Sequence, residues 1–191
     1  LFVAAMLRLM PKYPAARAVI CGQVTPKHQR YFQSLKDEIE RAGLSERFVF
    51  LGELSSEDMP EWFARLDLFV APMRSEGFGL TPLEAMASGV PVVATRTGAS
   101  ELTVEHGRTG LLAPPDDLDA LTAAIDELLS SPEKRRAFGK AGRERTSSRF
   151  DIAQEAAQLN DFYLRLLGAR ESAPRREARR LCFLHPIIGL D

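Results

Sequence analysis

The chain has 191 residues, of which 45% are hydrophobic and 27% charged, which is the composition of one globular domain with a sizeable core. A net charge of -1 argues against a dedicated nucleic-acid binder, because it implies no broad basic surface. Cys21 and Cys182 show neither metal-ligand nor disulfide spacing, which favours a reducing, cytoplasmic setting. The longest apolar runs are strand-sized, so the sequence predicts no transmembrane helix. Leu1 is not a methionine, and we expect the chain to be a piece of something longer.

Apolar runs that end at glycine or proline predict five buried strands, at residues 18–22, 47–52, 67–72, 91–95 and 110–113. Amphipathic stretches predict helices at 1–12 and 26–43, and Ser55 or Ser56 can cap a third. Three more helices follow the fifth strand. They begin at Asp117 or Asp119, at Ser131 before a proline, and at Asp151 in a capping-box pattern.

Strands that are apolar throughout, with amphipathic helices between them, predict a doubly wound α/β domain whose parallel sheet is covered on both faces. We place this domain at residues 1–168. Residues 169–191 are expected to form a poorly ordered tail, because the helical period ends there. Four arginines of this tail could contact anionic lipid, although a solvated tail is the favoured interpretation. They are Arg175, Arg176, Arg179 and Arg180.

Ligands of such sheets bind at the carboxyl ends of the strands, and one of these ends carries an acidic motif. Glu76 and Glu84 are separated by seven residues, and Gly77 and Gly79 lie between them. The glycines allow a close approach of the backbone to a ligand. A helix that begins near residues 80–82 would offer its N-terminus to phosphate, and Thr81 could cap it or donate its hydroxyl to the phosphate. Carboxylates that can hold hydroxyl groups, on either side of an anion site, suit a nucleotide-sugar. The spacing alone fits equally well with two surface carboxylates beside a glycine loop.

The run from Glu76 through Glu84 to Thr95 resembles the E-x7-E block of retaining GT-B glycosyltransferases of the group 1 type. Residues 47–52 resemble the nucleotide-base segment of that family, and residues 109–112 resemble its following turn and strand. The resemblance spans residues 1–167 and extends to bacterial lipopolysaccharide-core mannosyltransferases. It implies the Rossmann-like, donor-binding half of a GT-B fold, in which the first strand is missing.

The resemblance also implies roles for individual residues. Glu76 would position the donor sugar as the candidate catalytic residue, and Glu84 would bind the ribose. Phe78 is expected to pack behind the loop. The backbone of five residues would line the sugar and the diphosphate: Gly77, Phe78, Gly79, Leu80 and Thr81. Gly52 and Leu54 would contact the base.

The expected activity is the transfer of a hexose from a nucleotide-sugar, with GDP-mannose favoured, to a glycan or lipopolysaccharide-core acceptor. No metal and no other cofactor is expected, and no nucleic-acid partner. A glycan or glycolipid acceptor would bind an N-terminal domain that these residues do not include. We expect a cytoplasmic location, which allows peripheral contact with the inner face of the membrane.

Members of the family carry an arginine and a lysine directly after the first strand, where they hold the donor diphosphate. Because that strand is missing, we expect this chain alone to bind a nucleotide weakly and not to turn over. The alternative is a noncatalytic domain on the same fold that binds a nucleotide or a nucleotide-sugar.

Overall fold

A computed structural model of the chain describes residues 1–171, with side chains to residue 168. The chain divides into two compact units, Leu1–Phe150 and a second one that begins at Asp151. The domain boundary at residue 168 stays a prediction. The predicted tail and its four arginines lie outside the described residues or, for residues 169–171, outside the described side chains.

The described residues form five strands and eight α-helices. The strands are β1 (Ala18–Cys21), β2 (Phe48–Gly52), β3 (Phe69–Ala71), β4 (Val92–Thr95) and β5 (Gly110–Ala113). The helices are α1 (Phe2–Leu9), α2 (Gln29–Arg41), α3 (Met59–Ala64), α4 (Leu80–Ala87), α5 (Gly98–Thr103), α6 (Leu118–Ser130), α7 (Pro132–Arg149) and α8 (Ile152–Glu171). All five strands occur where the sequence predicts them, and only α5 was not predicted.

The helix starts that follow β5 are set by side-chain caps. The Asp117 carboxylate accepts the Ala120 N–H at 2.9 Å, and the Ser131 hydroxyl accepts the Lys134 N–H at 3.3 Å. Asp151 accepts two amides of the first turn of α8, at 2.9 and 3.0 Å. Such caps satisfy N–H groups that have no partner within the helix. These predicted helix starts are confirmed.

The predicted start of α3 is wrong. Ser55 does not cap the helix, which begins at Met59 after Asp58. Instead the Ser55 hydroxyl donates to the Asp58 carboxylate at 2.7 Å and accepts the Asp58 N–H at 3.2 Å. Ser55 therefore closes the turn of residues 55–58, which directly precedes the helix.

Every strand pair is parallel, and the strands form two ladders. One ladder has the order β1-β2 and the other the order β3-β4-β5. In the second ladder Phe69 lies opposite Val92, and Val92 lies opposite Gly110. Parallel pairing through helical connections confirms the predicted α/β fold class. The sheet is nevertheless interrupted, since no ladder joins β1 to β3 among the described residues.

Both faces of the sheet carry an apolar core, as a doubly wound domain requires. Alternate residues of β4 point to opposite faces: Val93 belongs to a cluster that contains the buried residues of α1 and α6, whereas Val92 and Ala94 belong to a cluster with α3 and α4. All four residues of β4 are buried. The loops at the carboxyl ends of β3 and β4 are thus held by strands fixed from both sides.

Candidate donor-binding site

The loop from β3 to α4 is built around Gly79. This glycine is the N-cap of α4 and adopts a left-handed conformation, with φ of +86°. A Cβ atom added there would lie 3.4 Å from Glu76 Oε2 and 3.5 Å from Thr103 Oγ1. The left-handed backbone therefore favours glycine here, whereas the contacts beneath it are of ordinary van der Waals length and would admit a Cβ atom. The predicted cap by Thr81 is wrong, because Thr81 is already the second residue of the helix and Gly79 makes no side-chain cap.

The N-terminus of α4 presents backbone donors at the surface. The first amide that closes the helix is that of Leu83, which donates to the Gly79 carbonyl at 3.3 Å. The amides of Leu80 and Thr81 precede it and have no acceptor within the helix, while Pro82 contributes no N–H. Leu80 is 63% exposed. These two amides and the helix dipole form a site that suits an anion such as phosphate.

Glu76 lies three residues before this helix terminus, and its side chain is half-buried. Burial raises the pKa of the Glu76 carboxyl above its usual range. No hydrogen bond or ion pair joins this carboxylate to any described residue, although its Oε2 lies over Gly79. A carboxylate that is partly desolvated and unpartnered is available to accept hydrogen bonds from ligand hydroxyl groups.

Glu84 is exposed and is the fifth residue of α4. The sequence predicts Glu84 within the first turn of the helix, but as the fifth residue it lies just beyond that turn. Because it follows Leu80 by four residues, it lies on the same face of the helix as the exposed Leu80. Helical side chains lean toward the N-terminus, so Glu84 leans toward the anion site.

The remaining predicted donor-binding residues are Phe78 and Gly77 in the loop before α4, and Gly52 and Leu54 at the end of another strand. Phe78 is 53% exposed and belongs to neither apolar cluster, so its predicted packing role is wrong. Gly77 is exposed beside it. Gly52 ends β2 and Leu54 follows it, and β2 belongs to the other ladder. The structure therefore brings together Glu76 and the start of α4, while contact of Gly52 and Leu54 with a base stays a prediction.

A long groove connects this site to the sheet. Its volume is about 700 Å³, and its walls include Glu76, Thr81, Pro82 and Met73. The carbonyl of Met73 accepts a hydrogen bond from the buried Thr95 hydroxyl, which ties the end of β3 to the end of β4. This bond fixes the point at which the site loop leaves the sheet.

Sequence reasoning missed Thr103, the fully buried residue that supports Gly79 from below. It ends α5, which begins with a reciprocal cap between Thr97 and Ser100, with bonds of 3.2 and 2.8 Å. The Arg145 guanidinium of α7 donates to the Thr103 carbonyl at 2.9 Å. The Thr-x-x-Ser spacing was the available signal for α5, because it resembles a capping box.

The arrangement is suited to holding a molecule that has hydroxyl groups and phosphate. Glu76 offers acceptors, α4 offers donors, and Glu84 offers a second carboxylate on the exposed face. Among the described residues no group of three or more His, Cys, Asp or Glu side chains is placed to hold a metal ion. The predicted independence from metals stays a prediction.

Residues 1–145 match the family described as glycosyl transferases group 1. The chain belongs to this family. It is 43% identical over 169 residues to the lipopolysaccharide core biosynthesis mannosyltransferase LpsB of Rhizobium meliloti (strain 1021), an alignment that covers 87% of this chain and 48% of that protein. The predicted family is thereby confirmed, and the chain spans about half the length of this curated relative.

Two solved structures of glycosyl transferases extend the comparison. The C-terminal domain of the group 1 family protein LpcC from Francisella tularensis is 31% identical, with a TM-score of 0.75, and the match covers 79% of this chain and 78% of that one. Anabaena Alr3699/HepE, solved in complex with UDP, is 29% identical with a TM-score of 0.77, over 84% of this chain and 43% of that one. Both structures support the predicted Rossmann-like half of a GT-B fold.

None of the helices in the described part of this glycosyl transferase chain has the length and apolar character needed to cross a bilayer. The predicted cytoplasmic location and peripheral membrane contact stay predictions.

Proposed function

We propose that this chain is the donor-binding part of a retaining glycosyltransferase that moves mannose from GDP-mannose to a glycan or lipopolysaccharide-core acceptor. In this reaction the bond between the anomeric carbon and the diphosphate oxygen breaks, the acceptor hydroxyl oxygen bonds to that carbon, and its proton passes to the departing diphosphate. Positive charge develops on the sugar and negative charge on the leaving diphosphate. A helpful site stabilises both charges.

The observation that carries this proposal is the position of the Glu76 carboxylate, which has no partner among the described residues and lies next to Gly79 at the start of α4. The amides of Leu80 and Thr81 would bind the diphosphate oxygens and stabilise the leaving group. Glu76 would accept hydrogen bonds from sugar hydroxyls and hold the reacting carbon in place. Glu84, on the face shared with Leu80, would bind the ribose diol. The backbone of Gly77, Phe78 and Gly79 would line the sugar and diphosphate.

The choice of donor rests on relatives. The mannosyltransferase activity in the name of the Rhizobium relative supports mannose, and GDP-mannose is the donor we favour for it. The UDP complex of the Anabaena protein supports a nucleoside diphosphate as the ligand of this fold, although with a different base. The base would lie against Gly52 and Leu54 at the end of β2.

Calorimetric titration of the 191-residue chain with GDP-mannose, GDP, UDP-glucose and UDP tests the binding step. We expect the guanosine ligands to bind more tightly than the uridine ligands. Replacing Glu84→Ala should weaken GDP binding about 10-fold, since one charge-assisted pair of hydrogen bonds contributes about 1.5 kcal/mol. Glu133→Ala, which removes an exposed carboxylate of α7, is the matched control and should leave the affinity unchanged. Equal affinity in all three proteins would refute the assignment of Glu84.

Turnover separates the proposal from a noncatalytic nucleotide-binding domain. In a longer polypeptide that contains this chain and an acceptor domain, radiolabelled mannose should move from GDP-mannose to acceptor. Glu76→Gln should lower kcat by at least about 100-fold, because it removes the carboxylate charge next to the reacting carbon. Donor binding without transfer in the unmodified longer polypeptide would instead support the noncatalytic alternative.

A further inference from the structure

An ion pair joins two loops at the carboxyl edge of the β3-β4-β5 ladder. Arg74 lies in the loop between β3 and α4, two residues before Glu76, and Asp116 lies between β5 and α6. The Arg74 Nε–H donates to Asp116 Oδ1 at 2.8 Å. Because β4 lies between β3 and β5 in the ladder, this bond crosses the end of the middle strand and ties the two outer loops together.

The loop of residues 74–78 has no other hydrogen-bonded attachment. Before it, the Met73 carbonyl accepts a hydrogen bond from the Thr95 hydroxyl, and after it Gly79 begins α4. Within the described part of the chain, the bond from Arg74 to Asp116 is the only hydrogen bond that residues 74–78 make. All five of these residues are exposed except the half-buried Glu76. Packing therefore constrains the loop weakly, and the ion pair is its one directional contact among the described residues.

The backbone of Asp116 has an unusual conformation. Its φ is +59°, and among the described residues it is the only non-glycine residue with a positive φ. Aspartate tolerates this left-handed conformation better than most residues, but glycine adopts it without a steric cost. The cap of α6 does not need this side chain, since Asp117 accepts the Ala120 N–H at 2.9 Å. The described partner of the Asp116 carboxylate is Arg74, so the ion pair accounts for an aspartate at a position that suits glycine.

An exposed ion pair of this kind adds little to the stability of the whole domain. The side chains of Arg74 and Asp116 are 81% and 55% exposed, and water and salt screen such pairs. The effect of the pair is local, because it removes conformations from a loop that has no other fixed partner. A carboxylate that must meet ligand hydroxyls in one geometry benefits from such preorganisation, since less motion is lost on binding.

We propose that Asp116 is a positioning residue for Glu76. Through Arg74 it holds the loop of residues 74–78 across the end of β4, and it thereby keeps the Glu76 carboxylate beside Gly79 at the start of α4. Asp116 touches neither the sugar nor the phosphate and acts only through Arg74. The consequence for donor binding rests on the proposed function, whereas the fixing of the loop does not.

The test uses Asp116→Gly in the 191-residue chain and follows the motion of the loop by NMR. The variant should melt at nearly the same temperature as the wild type, because relief of the left-handed strain offsets the greater freedom of glycine in the unfolded chain. The measured quantity is the order parameter of the Ser75, Glu76, Gly77 and Phe78 amides. Rigid backbone gives about 0.85 and flexible backbone less than about 0.6. We expect rigid values in the wild type and flexible values in Asp116→Gly.

Three further variants separate this mechanism from a general loosening. Glu127→Gln removes another exposed ion pair, Lys134–Glu127 at 2.8 Å, and should leave the order parameters unchanged. Asp116→Asn should give intermediate values, because its amide oxygen can still accept one hydrogen bond. Arg74→Gln should loosen the loop as much as Asp116→Gly does. The double variant should then be no looser than either single variant, since both remove the same interaction.

Donor affinity is the second measurement. A less well fixed Glu76 should weaken the binding of GDP-mannose about 5-fold in Asp116→Gly, in Arg74→Gln and in the double variant alike, as measured by calorimetry. A flexible loop with unchanged donor affinity would place the donor elsewhere. That result would count against the proposed function of Glu76 and would support the role of Asp116 in fixing the loop.

Three outcomes would overturn the proposal. Flexible values for the loop already in the wild type would show that the ion pair does not hold it. Rigid values in Asp116→Gly would show that another contact does so. A double variant looser than Arg74→Gln alone would show that Asp116 acts by a route other than Arg74.

Discussion

Replacing Gly139→Ala tests how α7 holds the helix that carries the candidate site. Gly139 is buried where α7 crosses the end of α4. A Cβ atom at this position would lie 2.0 Å from the carbonyl oxygen of Gly89 and 3.0 Å from its carbonyl carbon. Gly89 follows α4 and has a φ of +80°. The contact thus joins two backbones, and no side chain can rotate away to relieve it.

The size of the effect follows from this geometry. Atoms that would stand 2.0 Å apart must separate by about 1 Å, in an interior packed at crystal density. Overpacking of this kind costs about 1–3 kcal/mol, and a backbone-to-backbone clash belongs at the upper end. Alanine returns about 1 kcal/mol through its better helix propensity. The net loss is about 2 kcal/mol, or a fall in Tm of about 4–8 °C for a domain of this size.

Gly142→Ala is the matched control, one turn further along α7. A Cβ atom there would lie 3.1 Å from the Met86 Cγ, 3.2 Å from its Cβ and 3.6 Å from its Cα. The Met86 Cγ can move by a change of rotamer, and the Cβ contact needs a shift of only a few tenths of an ångström, so the gain in helix propensity should offset most of the crowding. Thermal and urea denaturation of the two variants compares them directly. If the two variants melted within 1 °C of each other, the argument from the backbone contact would be refuted.

Three further predictions concern residues around the same core. Glu76→Gln should raise the free energy of unfolding more at pH 7 than at pH 3.5. Burial raises the pKa of the Glu76 carboxyl in the folded protein, so the native carboxyl binds its proton more tightly than the unfolded one does. The free energy of unfolding of the wild type therefore falls as the pH rises through the titration of Glu76. Urea titrations that give the same difference between variant and wild type at both pH values would contradict this. Arg47→Lys should lower the free energy of unfolding by about 2 kcal/mol, because the guanidinium donates to the carbonyls of Met10, Tyr13 and Ala16 around the α1–β1 connection and an ammonium cannot span all three. The exposed Arg17→Lys should have no measurable effect in the same urea titration. Thr97→Ala should cost about 1 kcal/mol through the lost cap of α5, and Thr97→Ser should restore it, as judged by Tm.

The strands were predictable because a buried strand requires a continuous run of apolar residues, which can be read from the local sequence. Val92, Val93 and Ala94 form a continuous apolar run, as expected for a strand covered on both faces. The interruption of the sheet was expected only from the family resemblance, which implies a missing first strand, and not from any local apolar run. It depends on which strand lies beside β3, and a strand's neighbours are chosen by packing far along the chain rather than by its own residues.

The candidate site likewise has a part that could be predicted from adjacent residues and a part that could not. Glu76, Gly79 and the start of α4 are contiguous, so a turn, a helix start and a carboxylate could be recognised together. The support beneath them was missed because it comes from elsewhere: Thr103 contacts Gly79 from α5, and Gly139 contacts the end of α4 from α7. Contacts between distant residues leave no local pattern in a single sequence.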